Sequence, residues 1–240
     1  MLRALLFDLD DTLLQTHATH TAAVRRSCEV AAAHHPDWSL PRLQAAFHAA
    51  HTELERRLER GQVIFPTQFL FRAHVWEHTL RACGLPADLG EHLAQVYLEE
   101  RDREHRLFPD AVLWLNRFRE EYTLVLVTNG LADFQRQKIE RTDLASHLDH
   151  IVVSGELGSW KPDGGIFTHA LSLAGTGPEH AVMIGDSLRH DIRGANEAGI
   201  RSVWMRRYHH LEPHPEITPT AIASDMEELA ALLRAWNPPA

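Results

Sequence analysis

Near the start of the chain an apolar run ends in three acids and a threonine: Leu5-Leu6-Phe7-Asp8-Leu9-Asp10-Asp11-Thr12-Leu13-Leu14. Leu5 to Phe7 with Leu9 read as a buried parallel strand, the kind that places its chemistry just beyond its carboxyl end. Alternate residues of an extended chain face one side, so Asp8 and Asp10 are directed at a common space. Like charges that close raise each other's pKa. A hard divalent cation with oxygen ligands relieves this, and so does one carboxyl kept protonated as an acid. In such a pair one carboxylate is suited to attack as a nucleophile while the other gives and later takes a proton.

Three later segments end in groups that complement this pair. Leu124-Val125-Leu126-Val127-Thr128-Asn129-Gly130 is another buried-strand pattern. Its hydroxyl, its amide and the backbone N–H groups beside a glycine suit an oxyanion such as phosphate. In Gly158-Ser159-Trp160-Lys161-Pro162-Asp163 the proline places Lys161 in a loop or at a helix entrance. There its ammonium neutralises either a phosphoryl group or the clustered acids. Ala181-Val182-Met183-Ile184-Gly185-Asp186-Ser187 is a strand ending in an acid, with Asp191 five residues on. Those two carboxylates complete a set sufficient for an octahedral Mg²⁺ that keeps some water. Taken singly, each fragment also reads as a turn, a helix start or a capped corner; it is their joint occurrence at strand ends that carries the argument.

In these motifs the chain resembles the haloacid dehalogenase-like hydrolases, most of which are phosphatases. Phe7-Asp8-Leu9-Asp10-Asp11-Thr12-Leu13 resembles the family's first motif, Thr128 its second, Lys161 its third, and Gly185-Asp186-Ser187 with Asp191 its fourth. Val127 to Leu131, Gln137-Lys138 and the stretch from Lys161 to Phe167 extend the likeness. They are most similar to the branch that holds a pyrimidine 5′-nucleotidase and the sialic acid 9-phosphate phosphatase. Residues 1–15 and roughly 107–235 are covered. Gly164 departs from the pattern, since relatives usually carry proline there.

The resemblance implies that Asp8 attacks phosphorus to form an aspartyl-phosphate, and that Asp10 protonates the leaving oxygen and then activates water. It implies that Thr128 and Lys161 hold phosphoryl oxygens. It also implies that Asp8, the backbone carbonyl of Asp10 and Asp186 bind Mg²⁺, with Asp191 arranged behind. Members that displace halide lack an acid at the Asp10 position, so the expected activity is a phosphatase acting on a small phosphorylated metabolite, a nucleoside monophosphate or a sugar phosphate. A phosphomutase of the same fold is the second reading. A haloacid dehalogenase and a non-enzymatic phospho-acceptor switch are the third and fourth.

The elements that must position these groups fall into two textures. Residues 22–33, 40–58, 67–83 and 89–101 show helical periodicity, with breaks near His35-Pro36-Asp37, Gly61 to Pro66 and Gly84-Leu85-Pro86. After Phe108-Pro109-Asp110, helix-like and strand-like segments alternate to the end, closing with a helix over 225–233 that opens on a capping box of Asp225 and Glu228. The expected fold is α/β: a Rossmann-like parallel sheet with helices on both faces, formed by residues 1–15 and 107–240. An inserted α-helical bundle cap occupies residues 16–106. Such a cap closes over a site and selects the substrate. Its candidate specificity residues are Arg25, Arg26, Trp38, Phe65, Phe69, Arg72 and Trp76, of which Arg25, Arg72 and Trp76 are foremost.

Bulk properties narrow the partners. The chain has 240 residues, 44% hydrophobic and 24% charged, with a formal net charge of −9. A net negative charge argues against nucleic-acid polymers and anionic membranes as partners. Two cysteines, Cys28 and Cys83, and no signal-peptide or membrane-spanning pattern predict a cytoplasmic protein. The 18 histidines include His74 and His78 at helical spacing but no His-Glu-x-x-His, which argues against zinc. They predict instead that the negative charge falls below pH 6.5. Oligomeric state is not legible.

Overall fold

Apolar strands without alternation need cover on both faces, and the chain supplies it. The computed structural model describes residues 1–34, 38–103, 105–208 and 214–237. Six strands form one parallel sheet: β1 (Ala4–Phe7), β2 (Thr123–Thr128), β3 (His150–Val153), β4 (Ala181–Gly185), β5 (Arg201–Met205) and β6 (Ala221–Ala223), in the order β3-β2-β1-β4-β5-β6. Leu5, Phe7, Leu124, Leu126, Val182 and Ile184 turn to one face. They pack there with Leu115 and Phe118 of α5 (Ala111–Phe118) and Met226, Leu229 and Leu233 of α10 (Met226–Trp236). Ala4, Leu6, Val125, Val127, Ala181 and Met183 turn to the other face. Ile166, Phe167 and Ala170 of α8 (Gly164–Leu173) cover them, with Ala195 of α9 (Arg193–Glu197).

Register sets the site. Phe7 stands opposite Leu126 on one side and Ile184 on the other, so β1, β2 and β4 end within two residues of one another in register. The order of the strands reverses between β1 and β4, and it is at such a switch point that open α/β sheets bind ligands. The Asp8 N–H extends the ladder by one bond to the Ile184 carbonyl, 2.9 Å. Beyond it the chain folds back on itself. The N–H groups of Leu13 and Leu14 donate to the Leu9 carbonyl, and Asp11 takes a left-handed φ of 58°. The outgoing segment then pairs with residues 106–108 through Gln15 N–H to Arg106 O, 2.8 Å, and Phe108 N–H to Leu13 O, 2.9 Å.

The chain divides into two compact units, Met1–Gln15 with Arg106–Ala240, and Thr16–His105. In the second, the described residues form α1 (His17–His34), α2 (Leu40–Glu59), α3 (Gln68–Ala82) and α4 (Gly90–Asp102) with one short 3₁₀ turn. Thr67 starts α3 by accepting the Leu70 N–H, 3.3 Å. Its interior is aromatic: Phe47 lies 4.8 Å from Trp76 and 5.8 Å from Tyr97 between ring centroids. The break expected at His35-Pro36-Asp37 lies outside the described residues. Periodicity does not predict α7 (Ser154–Leu157) or the π-helical turn Leu188–Ile192, each too short to show a period. At α10, Asp225 accepts the Glu228 N–H at 2.8 Å as expected. Glu228 reaches back to the N–H of Ser224, one residue earlier than a capping box requires.

Because Leu6 is fully buried in the middle strand, Leu6→Ala removes contacts that the facing helix α8 cannot replace. The expected cost is about 2–5 kcal/mol of stability, read as a lowered midpoint in urea unfolding.

Candidate active site

A lysine with no exposed surface needs acceptors for all three of its protons. Lys161, 2% exposed, has them: its Nζ donates to Asp8 Oδ1 at 2.6 Å, to Asp191 Oδ1 at 2.6 Å and to the Val127 carbonyl at 2.7 Å. One ammonium thus joins the end of β1, the end of β2 and the turn after β4. The loop that carries it is fastened by Asn129. That side chain accepts the Lys161 N–H at 2.8 Å and donates to the Lys161 carbonyl at 2.9 Å. The Asn129 amide, expected from the sequence to meet phosphate, is therefore engaged in holding Lys161. The Lys161 ammonium reaches a phosphoryl oxygen only by exchanging one of its three acceptors. Gly164 begins α8 in open space, and Asp163 caps that helix through the Gly165 N–H, so the missing proline leaves the start of the helix intact.

Asp191 enters from the π-helical turn. Its second oxygen accepts the Ser187 N–H, 2.9 Å. Its carboxyl occupies the space a side chain at position 185 would fill: a Cβ on Gly185 would lie 2.3 Å from Asp191 Cγ. Asp186 is half-buried beside it, and its backbone carbonyl accepts the Trp204 indole N–H at 2.7 Å. Oxygens of Asp8, Asp186 and Asp191 lie within 4.8 Å of one another.

Burial pushes the Asp8 carboxyl up to about 7, because the lowering by Lys161 is outweighed once Asp191 and Asp10 add to it. Burial, then the charges of Asp8 and Asp191, hold Asp186 well above the usual carboxylate range. Burial alone would lower Lys161, but Asp191 and Asp8 hold it charged. Three carboxylates around one ammonium leave negative charge uncompensated, and all the donors are hard oxygens. That set fits Mg²⁺.

Asp10 is held separately. Both its oxygens accept from Lys138 Nζ at 2.8 Å, and Oδ2 also accepts from Gln135 Nε2 at 3.0 Å. The same Gln135 Nε2 donates to Thr128 Oγ1 at 2.5 Å. That bond uses a lone pair of Thr128 and leaves its hydroxyl proton for an oxyanion. Gly130, at φ 148°, is restricted to glycine twice over, because a Cβ there would also meet Gln135 Cγ at 2.7 Å. Sequence reading passes over Gln135 and marks Lys138 only as part of the family likeness, without a role. Their three-residue spacing on α6 (Ala132–Arg141) just after Thr128-Asn129-Gly130 is a further signal.

The specificity candidates belong to the helical unit. Arg25 is exposed and pairs with Glu29 at 2.9 Å. Trp76 is fully buried, and Arg72, 4% exposed, lies over the Tyr97 ring at 4.5 Å. What these two touch is the interior of their own unit. Cys28 and Cys83 are free thiols, and among the described residues no helix is long and apolar enough to cross a membrane.

Residues 2–199 match the family model for haloacid dehalogenase-like hydrolases. The chain is 33% identical to the phosphoserine phosphatase of Thermus thermophilus, across 95% of this chain and 98% of that one. It is 31% identical to the rat N-acylneuraminate-9-phosphatase, across 97% and 94%. Among solved structures, the HAD-hydrolase YfnB of Bacillus subtilis bound to magnesium superposes with a TM-score of 0.75 at 29% identity, across 97% of this chain and 98% of that one. With the motif residues assembled at the carboxyl ends of one parallel sheet and a family match over most of its length, the chain belongs to the haloacid dehalogenase-like hydrolases.

Proposed function

We propose that the protein is a Mg²⁺-dependent phosphomonoesterase that hydrolyses a small phosphorylated metabolite through a phosphoryl group carried on Asp8. The observation behind this is the different treatment of two carboxylates two residues apart. Asp8 has one oxygen bound by Lys161, while its other oxygen accepts no hydrogen bond from the described residues. Asp10 has both oxygens engaged by Lys138. The first arrangement suits a nucleophile aimed into the cluster, and the second a fixed proton carrier.

The steps balance. An Asp8 oxygen bonds to phosphorus as the ester P–O bond breaks, and the leaving oxygen takes a proton from Asp10. Water then attacks the aspartyl-phosphate and gives its proton to the Asp10 carboxylate, which releases inorganic phosphate and restores Asp8. Asp8, the backbone carbonyl of Asp10 and Asp186 would hold the Mg²⁺, with Asp191 supporting them. The cation supplies neutralisation of negative charge on the phosphoryl group. Thr128 donates its hydroxyl to a phosphoryl oxygen, and Lys161 orients Asp8 throughout. Relatives named phosphoserine phosphatase and N-acylneuraminate-9-phosphatase support reading the substrate as a small polar phosphate ester. A nucleoside monophosphate or a sugar phosphate is the reading we favour here.

Two measurements test this. Phosphate release from a panel of nucleoside monophosphates, sugar phosphates and phosphoserine is expected to require Mg²⁺ and to fall on the order of 10⁴-fold or more in Asp8→Asn. Full Mg²⁺-dependent release by that variant would exclude the covalent route. The second measurement is thermal unfolding with and without Mg²⁺. Asp8 at about 7 rather than 3.8 keeps a proton in the folded chain that the unfolded chain has lost. The metal-free protein therefore loses stability as pH rises from about 4 to 7. Mg²⁺ at a hundredfold excess over its Kd adds about 2.7 kcal/mol where the carboxylates are ionised. The rise in Tm is therefore expected to be larger at pH 8 than at pH 5.

A further inference from the structure

Lys138 has 1% of its surface exposed and stands one turn from Gln135 on α6. Burying an ammonium costs several kcal/mol unless its partners are close and well aligned, so its surroundings disclose what it is for. Its Nζ meets both Asp10 oxygens at 2.8 Å and Gln135 Oε1 at 2.7 Å, and it lies 4.2 Å from the centre of the Phe134 ring. Gln135 is then fixed in orientation. With Oε1 on an ammonium, Nε2 faces two acceptors, Asp10 Oδ2 and Thr128 Oγ1. The flipped amide would set an oxygen against a carboxylate. Gly130 has no side chain where one would collide with Gln135.

From this geometry we infer that Lys138 and Gln135 are positioning residues that hold the Asp10 carboxyl and the Thr128 hydroxyl in one rigid frame, so that the proton carrier is aligned with the leaving oxygen of a phosphate bound at Thr128. The inference rests on the reading of Asp10 as the proton carrier. Asp10 lies beyond β1, where a bridge to Leu14 holds its backbone but leaves its side chain to be oriented by other groups. A misplacement near 1 Å at a reacting group costs on the order of 10²-fold in rate. One amide shared between Asp10 and Thr128 fixes their separation directly.

A tie that merely fastened α6 to the loop after β1 would leave the same contacts, so the test must separate alignment from folding. An alkyl ester needs its leaving oxygen protonated, whereas 4-nitrophenolate departs unaided. Values of kcat/KM, which report the first chemical step, are compared for 4-nitrophenyl phosphate and for the alkyl phosphate that wild type cleaves fastest in the panel above. For Lys138→Met the expected loss is about 10²-fold on the alkyl ester and below about tenfold on 4-nitrophenyl phosphate, with partial recovery in Lys138→Arg. Equal losses on both esters would overturn the inference. If Lys138→Met does not fold, Gln135→Leu carries the same comparison. Asp10→Asn is the control. A selective alkyl-ester loss in Asp10→Asn beside equal losses in Lys138→Met removes the inference and leaves the proposed function standing. Full alkyl-ester turnover by Asp10→Asn removes both.

Discussion

One ammonium buried among carboxylates is the constraint from which the rest of the α/β unit follows. Lys161 has three protons and three acceptors at 2.6–2.7 Å, drawn from β1, from β2 and from the turn after β4. Each acceptor demands something of the fold. The Val127 carbonyl must be free of the ladder at that position, Asp8 must follow the last paired residue of β1, and Asp191 must turn inward over a residue with no side chain, Gly185. Asn129 then fixes the backbone of the lysine itself. Loss of the ammonium would leave Asp8 and Asp191 buried with one charge fewer to balance them, a change that costs far more than an exposed ion pair is worth.

A second buried ammonium repeats the device with a different result. Lys138 takes both oxygens of Asp10, whereas Lys161 takes one oxygen of Asp8 and shares itself with Asp191. Neighbouring carboxylates in similar surroundings would compete for the same role. Here Asp8 belongs to a cluster with Asp186 and Asp191, within 4.8 Å, and Asp10 to a network of Gln135, Lys138 and Thr128. Separating the environments of two like groups is what the proposed division of Asp8 as nucleophile and Asp10 as acid requires.

How much of this can be read in the chain depends on whether the signal is local. Strand ends are local: apolar runs closed by Asp8, Thr128 and Asp186 show where β1, β2 and β4 stop, and parallel pairing brings those ends within two residues of one another in register. Helices α1 to α4 are long enough for their period to show. Gln135, and the role of Lys138, are opaque for the opposite reason. On a short helix with a strongly polar composition, a lysine three residues from a glutamine looks like a solvated face. Asp10, 128 positions from Lys138 in the sequence, gives its ammonium a partner that no local pattern announces. The tie from the Asn129 side chain is equally hidden, since an amide beside Thr128 gives no local sign that the Lys161 backbone takes both of its ends.

The histidines show how far burial can override composition. Eighteen imidazoles predict a chain whose negative charge falls below pH 6.5. In the helical unit, however, burial and then the charges of Arg101 and Arg72 push His20 down to about 2, and burial followed by Arg72 and His20 drives His51 the same way. His20 Nδ1 lies 2.7 Å from the Tyr97 hydroxyl, which also accepts from Arg101 at 2.8 Å. With two guanidiniums among the rings, a third cation would add repulsion inside a low dielectric. These two imidazoles stay neutral across the physiological range, so the aromatic interior keeps its charge fixed by the arginines.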